Sequence, residues 1–249
     1  MGRLSKLTLL LLGFACLGGT WMASPGKGSH ASATTNNVTF VAILEQRDTA
    51  QVASTTMTGT LNLQAGDLVI VTAAYATGAS STVTVGGNAA TLINSNTATT
   101  QGYTLDTFYL ANASANASAS VVITYNASSD FRISIAAQYR GAATASALDV
   151  SSKNTGTSGM TDSPNMTALD VTTTNAANLL IFAGVNNGNH ATQTPQGSWT
   201  KRTAVATKNW VFADKLVTTT GSNPGGTVIA VDSTADNFYF SSFAAFKSL

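Results

Sequence analysis

The stretch Ala65-Gly-Asp-Leu-Val-Ile-Val-Thr-Ala-Ala-Tyr75 constrains this chain more than any other. Gly66-Asp67 is a turn pair, and an uncharged run of β-branched and apolar residues follows it. Side chains alternate along a strand, so Leu68 and Ile70 point one way and Val69 and Val71 the other. Both faces are apolar, which predicts a central strand buried on both sides. The pattern returns as Asn178-Leu-Leu-Ile-Phe-Ala-Gly-Val185. Past the N-terminus no segment has a 3.6-residue hydrophobic period. The predicted fold is therefore all-β, a β-sandwich or jelly roll.

The order of elements also repeats. Leu68 and Leu179 lie 111 residues apart, Leu110 and Leu216 as well as Ile123 and Ile229 lie 106 apart, and Tyr139 and Phe246 lie 107 apart. A near-constant offset is what a duplicated unit of about a hundred residues leaves behind. The expected organisation is a single β-sandwich domain over 38–249 built from two sequence-related halves, 38–140 and 147–249. The alternative is two tandem immunoglobulin-like sandwiches. The junction Arg140-Gly-Ala-Ala-Thr-Ala-Ser-Ala-Leu-Asp-Val150 has no proline and runs straight into a β-like stretch. That favours intimate packing over a flexible linker.

Between the landmarks, Val38–Gln46 reads as the first strand and Met57–Leu63 as a second. Gly86-Gly87-Asn88 reads as a hairpin turn. Asn112–Ala119 reads as an Ala/Ser/Asn loop and Asn126–Asp130 as a turn. Phe131–Arg140 alternates cleanly, with Phe131, Ile133, Ile135, Ala137 and Tyr139 inward and Arg132, Ser134, Gln138 and Arg140 outward. A sheet with one wet face follows, on which truncating Arg132 costs less than about 0.5 kcal/mol.

The N-terminus has the layout of a signal peptide. Arg3 and Lys6 form its basic end, Leu7–Phe14 its apolar segment, and small residues follow. The expected leader is 1–23, with cleavage after Ala23 or as late as Ala33, and a flexible linker spans 24–37. A membrane anchor is the competing reading, but the apolar run is shorter than the ~20 residues a span needs. Lipid anchoring at Cys16 is a third. Cys16 is the only cysteine, so a processed chain has no disulfide. Only 9% of residues are charged, against about 25% in an average soluble protein. Without Arg3, Lys6 and Lys27, nine basic residues face eleven acidic ones. That balance provides no basic footprint for nucleic acid.

The search for chemistry finds no catalytic constellation. Glu45 is the only glutamate, so a glycosidase pair would have to be Glu45 with an aspartate, or two aspartates. Glu45-Gln-Arg-Asp48 reads instead as the polar end of the first strand, with an exposed Glu45–Arg47 or Arg47–Asp48 contact. His30 falls in the linker, and His190 has no Gly-x-Ser-x-Gly elbow to work with. No Cys/His set binds zinc. Asn126, Asp130, Asp232 and Asp236 put side-chain oxygens at the first and fifth places of two corresponding loops. They are weak calcium candidates, and Asx turns use the same residues without metal. No other cofactor is expected. Asn37, Asn112, Asn116, Asn126 and Asn165 begin Asn-x-Ser/Thr sequons. Trp199 and Trp210, with Tyr103 and Tyr109, are the aromatics able to stack on a sugar if exposed; at strand spacing they read as core.

Ala65-Gly-Asp-Leu-Val-Ile-Val71, Val83-Thr-Val-Gly-Gly-Asn-Ala-Ala-Thr-Leu92, Gln138-Tyr-Arg-Gly141, Gly197-Ser-Trp-Thr200 and Ala244-Ala-Phe246 resemble segments of a widespread, uncharacterised group of secreted bacterial β-sandwich modules. These occur in cell-surface and phage-associated proteins. The resemblance covers most of 38–249, rests on turns and strands, and brings no catalytic residues with it. The expected function is a secreted or cell-surface, non-enzymatic structural or adhesive protein. The alternatives are a carbohydrate-binding module and a hydrolase with an unrecognised site. Surface glycans and other copies of the chain are the expected partners.

Overall fold

Strands make up all the regular structure in the computed structural model, which describes residues 36–48, 52–76, 79–98, 102–129, 131–160, 165–167, 169–186, 192–204, 210–223, 227–231 and 236–249. No helix among the described residues is long and apolar enough to cross a membrane. The first half holds β1 (Thr39–Asp48), β2 (Val52–Thr56), β3 (Leu61–Leu63), β4 (Asp67–Ala76), β5 (Ser81–Val85), β6 (Asn88–Ala89), β7 (Thr91–Ala98), β8 (Tyr103–Ala113), β9 (Asn116–Ala119), β10 (Val121–Ser129) and β11 (Arg132–Arg140). The second holds β12 (Leu148–Met160), β13 (Asn165–Thr167), β14 (Val171–Thr173), β15 (Asn178–Asn186), β16 (Thr192–Pro195), β17 (Thr200–Lys201), β18 (Trp210–Val217), β19 (Gly221–Asn223), β20 (Thr227–Val231) and β21 (Asp236–Lys247).

Each half builds one large antiparallel sheet. The first has five strands in the order β1-β11-β4-β8-β7, and the second has five in the order β12-β21-β15-β18-β17. Taken in chain order within each half, the two arrangements correspond strand for strand. The cross-strand pair Leu68–Tyr139 of the first recurs as Leu179–Phe246 in the second. Smaller sheets cover the outer faces: β2-β10-β5-β6 on the first, β13-β20-β16 on the second, with the pairs β3-β9 and β14-β19 beside them.

Three cores result. Val69, Val71 and Ala136 pack against Val83, Val85 and Ile123 inside the first sandwich. Leu180, Phe182 and Phe243 pack with Met166 inside the second. The third lies between the two large sheets, where Leu68, Ile70, Ile135 and Tyr139 meet Leu179, Ile181, Phe212 and Phe246. The large sheets are therefore inner layers, covered on both sides. This explains the two-faced apolar run: Leu68 and Ile70 serve the central seam, while Val69 and Val71 serve the sandwich, and all four are fully buried. Each such side chain contributes about 1.5–3 kcal/mol on burial.

The same arrangement overturns the wet face expected on β11. Arg132, Ser134 and Gln138 are 1%, 1% and 0% exposed, because the small sheet lies over them. Other boundaries shift as well. Met57–Leu63 is not one strand, since β2 ends at Thr56 and β3 starts at Leu61. The expected loop 112–119 instead holds the end of β8, with Asn112 at φ 54°, and the whole of β9. Strand β10 continues through Asn126 to Ser129, where a turn was expected.

The seam is closed by polar clasps at its margins. Asn96 Nδ2 on β7 donates to Asn154 O and Ser241 O, and Asn94 Nδ2 to Ser152 O and Ser242 Oγ. Asn36 Nδ2 donates to Asn178 O and Val217 O. Gly141, at the junction, has φ 83°, and a Cβ there would stand 2.4 Å from Asn37 O, so only glycine fits. Asn37 N donates to Ser248 Oγ, and Leu249 N to Gly141 O. The first described residues, the junction and the last residues thus share one end of the molecule.

A chain ending at Arg140 would leave Leu68, Ile70, Ile135 and Tyr139 facing water. It is expected to be insoluble or molten, while 34–249 melts in one cooperative transition. Calorimetry and gel filtration of both chains check this; a soluble first half with its own sharp transition would show that the seam is dispensable.

Candidate functional site

Aspartate is the residue an interior this apolar tolerates least, because an unpaired carboxylate costs several kcal/mol to bury. The described residues nevertheless bury Asp67, Asp106 and Asp214, at 2%, 3% and 4% exposure. Asp67, in the turn that opens β4, accepts from Arg140 Nε at 3.2 Å, Gln138 Nε2 at 2.5 Å and Gln64 N at 2.8 Å. Asp214, on β18, takes both prongs of Arg202 at 2.7 and 3.0 Å. The Tyr139 hydroxyl, from the other half, donates to Asp214 at 2.8 Å. Burial holds that phenol well above its ordinary range, and the Asp214 charge adds to the effect. Arg202 also stacks 4.2 Å over the Phe40 ring.

Asp106 has a different setting. It lies on β8 inside the first sandwich, near the end away from Gly141. Its Oδ2 accepts from the Tyr75 hydroxyl and from Ser81 Oγ, each at 2.5 Å. Its Oδ1 has no hydrogen-bond partner. Pairing register sets Asp48, Arg132, Tyr75 and Thr104 in one row across β1, β11, β4 and β8. This row gathers the rest of the cluster. Arg132 Nη1 donates to Thr55 Oγ1 at 2.7 Å, and Thr55 donates to Asp48 Oδ2 at 3.1 Å. The guanidinium lies 5.6 Å from the Tyr125 ring, which meets Tyr75 edge-on at 5.2 Å.

Burial pushes the Tyr125 phenol up to about 12, moderated by the Ser134 hydroxyl and by Arg132. The Tyr125 and Ser134 hydroxyls lie side by side without a well-formed hydrogen bond. Tyr75 is raised as well, by burial and then by Asp106. Both phenols therefore stay protonated near neutrality, and Tyr75 donates to Asp106.

The expected site residues fall out as follows. Trp210 is 4% exposed within the seam, so it has no ring face free for a sugar. The apolar gap beside it, lined in part by Leu105, Ile133, Val185 and Trp210, leaves no room for a water molecule. Trp199 is half-buried, edge-on to Phe182 at 6.3 Å and to Phe243 at 6.0 Å. Tyr103 and Tyr109 are half-buried against Phe240 and Phe246. Of the calcium candidates, Asn126 is on a strand and its Oδ1 accepts from Ser80 N at 2.6 Å. Asp236 opens β21, and Asp130 and Asp232 lie outside the described residues, as do Cys16, His30 and His190. Among the described residues no three His, Cys, Asp or Glu gather as metal ligands. Of the sequons, Asn37, Asn112 and Asn126 are exposed, Asn116 is half-buried, and Asn165 begins β13.

The Glu45–Asp48 cluster is not the exposed ion-pair set expected from its sequence. Arg47 lies over the Phe131 ring at 5.9 Å, and Asp48 turns to Gln46 and Thr55. Glu45 reaches across the seam, where its Oε1 accepts from Ala204 N at 2.7 Å. Burial raises the Glu45 carboxyl above its ordinary range, against Ala204 N, the Trp210 indole and Lys201, which favour the charge. The Trp210 N–H and Glu45 Oε2 are near each other but form no regular hydrogen bond. Burial also lowers Lys201. Comparison with known protein families, with curated proteins and with solved structures finds no match.

Two expectations follow. Arg132→Ala, once expected to be nearly neutral, should cost ~3 kcal/mol, because it removes a buried charge with its partners. Chemical denaturation reads this, and a loss under ~0.5 kcal/mol would put Arg132 back on a wet face. Glu45 has a raised folded pKa, so it favours folding below its unfolded pKa, and that contribution fades as pH rises through the folded pKa. Glu45→Gln keeps the acceptor for Ala204 N. It should melt above the wild type at neutral pH, with the gap closing as pH falls through the carboxylate range. A lower melting temperature at neutral pH would show that the charge's attraction to Lys201 outweighs its burial.

Proposed function

We propose that this chain is a secreted or cell-surface β-sandwich protein with a structural or adhesive, non-enzymatic role. The observation that carries the reading is the layered build: two sandwiches joined through a third, dry core. The first and last described residues meet at one end, through Asn37, Gly141, Ser248 and Leu249. The leader-like N-terminus and the hydroxyl-rich, low-charge composition support display outside the cell. The buried phenols and paired carboxylates support a scaffold held by internal bonds over a catalyst.

The test is binding of the purified chain to intact cells of the producing organism and to a glycan array, beside a panel of hydrolase substrates. Saturable retention on cells or glycans with no turnover is expected. Hydrolysis that disappears in Asp106→Asn would replace this reading with an enzymatic one.

A further inference from the structure

We propose that Asp106 anchors a binding site for a small, hard cation, calcium or sodium, in the first sandwich. The inference stands apart from the adhesive reading and rests on how the three buried aspartates are treated. Asp67 has Arg140, and Asp214 has Arg202. Asp106 is as deeply buried as either, yet it is matched by hydroxyls alone, through one oxygen only. Its other oxygen has no partner. A buried polar atom left bare calls for a specific explanation, and an ion or ordered water is the usual one. A positive charge from solution supplies what an arginine supplies at the other two sites.

The ligand atoms around Asp106 identify the class of cation. Tyr75 and Ser81 donate their hydrogens to Oδ2, which leaves oxygen lone pairs free. Thr104 lies two residues along β8, so its side chain shares the Asp106 face. Its Oγ1 is 3.1 Å from Thr97 Oγ1 on β7. Oxygen donors with no sulfur or imidazole suit group 1 and group 2 cations, not zinc or copper. Magnesium demands a near-ideal octahedron, which hydroxyls on three different strands do not readily build. With one carboxylate the affinity should be low, roughly 0.1–1 mM for calcium, in the range of weak extracellular sites.

The experiment uses the purified chain after chelator treatment. Thermal melts are recorded against calcium chloride, sodium chloride and choline chloride at matched ionic strength. Terbium luminescence excited through tyrosine serves as a direct probe, because Tyr75 touches Asp106. Saturable stabilisation by calcium or sodium, none by choline, and terbium emission that calcium displaces are expected; the two salt arms tell which cation is held. Asp106→Asn should abolish the response. Ser81→Ala and Tyr75→Phe should weaken it several-fold, and they carry the test if Asp106→Asn fails to fold. Identical melts in all three salts would overturn the proposal. So would wild-type cation affinity in Asp106→Asn, or in both hydroxyl variants.

Discussion

Burial of both faces of a five-stranded sheet is the constraint from which most of this structure follows. β4 is buried from Asp67 to Tyr75, and β15 along its whole length. A strand in that position has no solvent side on which to place a charge, so its sequence is apolar in both phases of the pleat. Its neighbours in the sheet inherit the same condition with less favourable residues. Arg132 and Gln138 on β11, Asp106 on β8 and Asp214 on β18 have no water to turn to. Each takes hydrogen-bond partners within the fold: Thr55 for Arg132, Tyr75 and Ser81 for Asp106, Asn62 O and Asp67 for Gln138, Arg202 and Tyr139 for Asp214.

The two large sheets share a strand order. At the seam both halves present aliphatic residues and rings: Leu68, Ile70, Ala74 and Tyr139 from the first, Leu179, Ile181, Phe212 and Phe246 from the second. Tyr103 meets Phe240 and Tyr109 meets Phe246 across it, so rings as well as methyl groups fill the space, as interiors packed to crystal density require. Rings fill the second sandwich too. Its outer sheet has three strands where the first has four. Phe182, Phe243 and Trp199, packed edge-on, occupy the volume there.

How much of this was legible in the sequence depended on whether local pattern or long-range partners decided the outcome. Leu68–Val71 could be read correctly because alternation within a few residues reports both faces at once. The all-β class followed from the same logic. Phe131–Arg140 gave the same clean alternation but misled, since a polar phase looks alike whether it faces water or a second sheet that supplies hydrogen bonds. Nothing in Arg132, Ser134 or Gln138 names Thr55 or Asp67 as partners. Asp106 was passed over for a related reason: a lone aspartate among Tyr103–Tyr109 reads as a solvated position. The available signal was that its neighbours Leu105 and Phe108 serve opposite faces, which leaves no face for water. Trp210 could be read as core by spacing, but its place in a seam between halves could not.

Low charge content takes on a meaning once the partners are known. With charged residues this sparse, surface ion pairs, worth under about 1 kcal/mol each, cannot hold the molecule together. Several of the few charges are instead committed inside, where removing one partner costs about 3–5 kcal/mol. Asp67–Arg140 ties the turn before β4 to the end of β11, next to the junction between halves. Arg202–Asp214, with the Tyr139 hydroxyl, ties the second half to the first within the seam, alongside the Glu45–Ala204 contact and the asparagine clasps at its margins. A seam made of apolar contacts alone would be strong but indifferent to small slips of one sheet over the other. The Tyr139 hydroxyl resists such a slip, because it reaches Asp214 from the other half, whereas Arg202 travels with Asp214 in the second half. The hydrophobic faces provide the affinity between halves, and the directional bonds that cross the seam, Tyr139 to Asp214, Ala204 N to Glu45 and the Asn94 and Asn96 clasps, set their register.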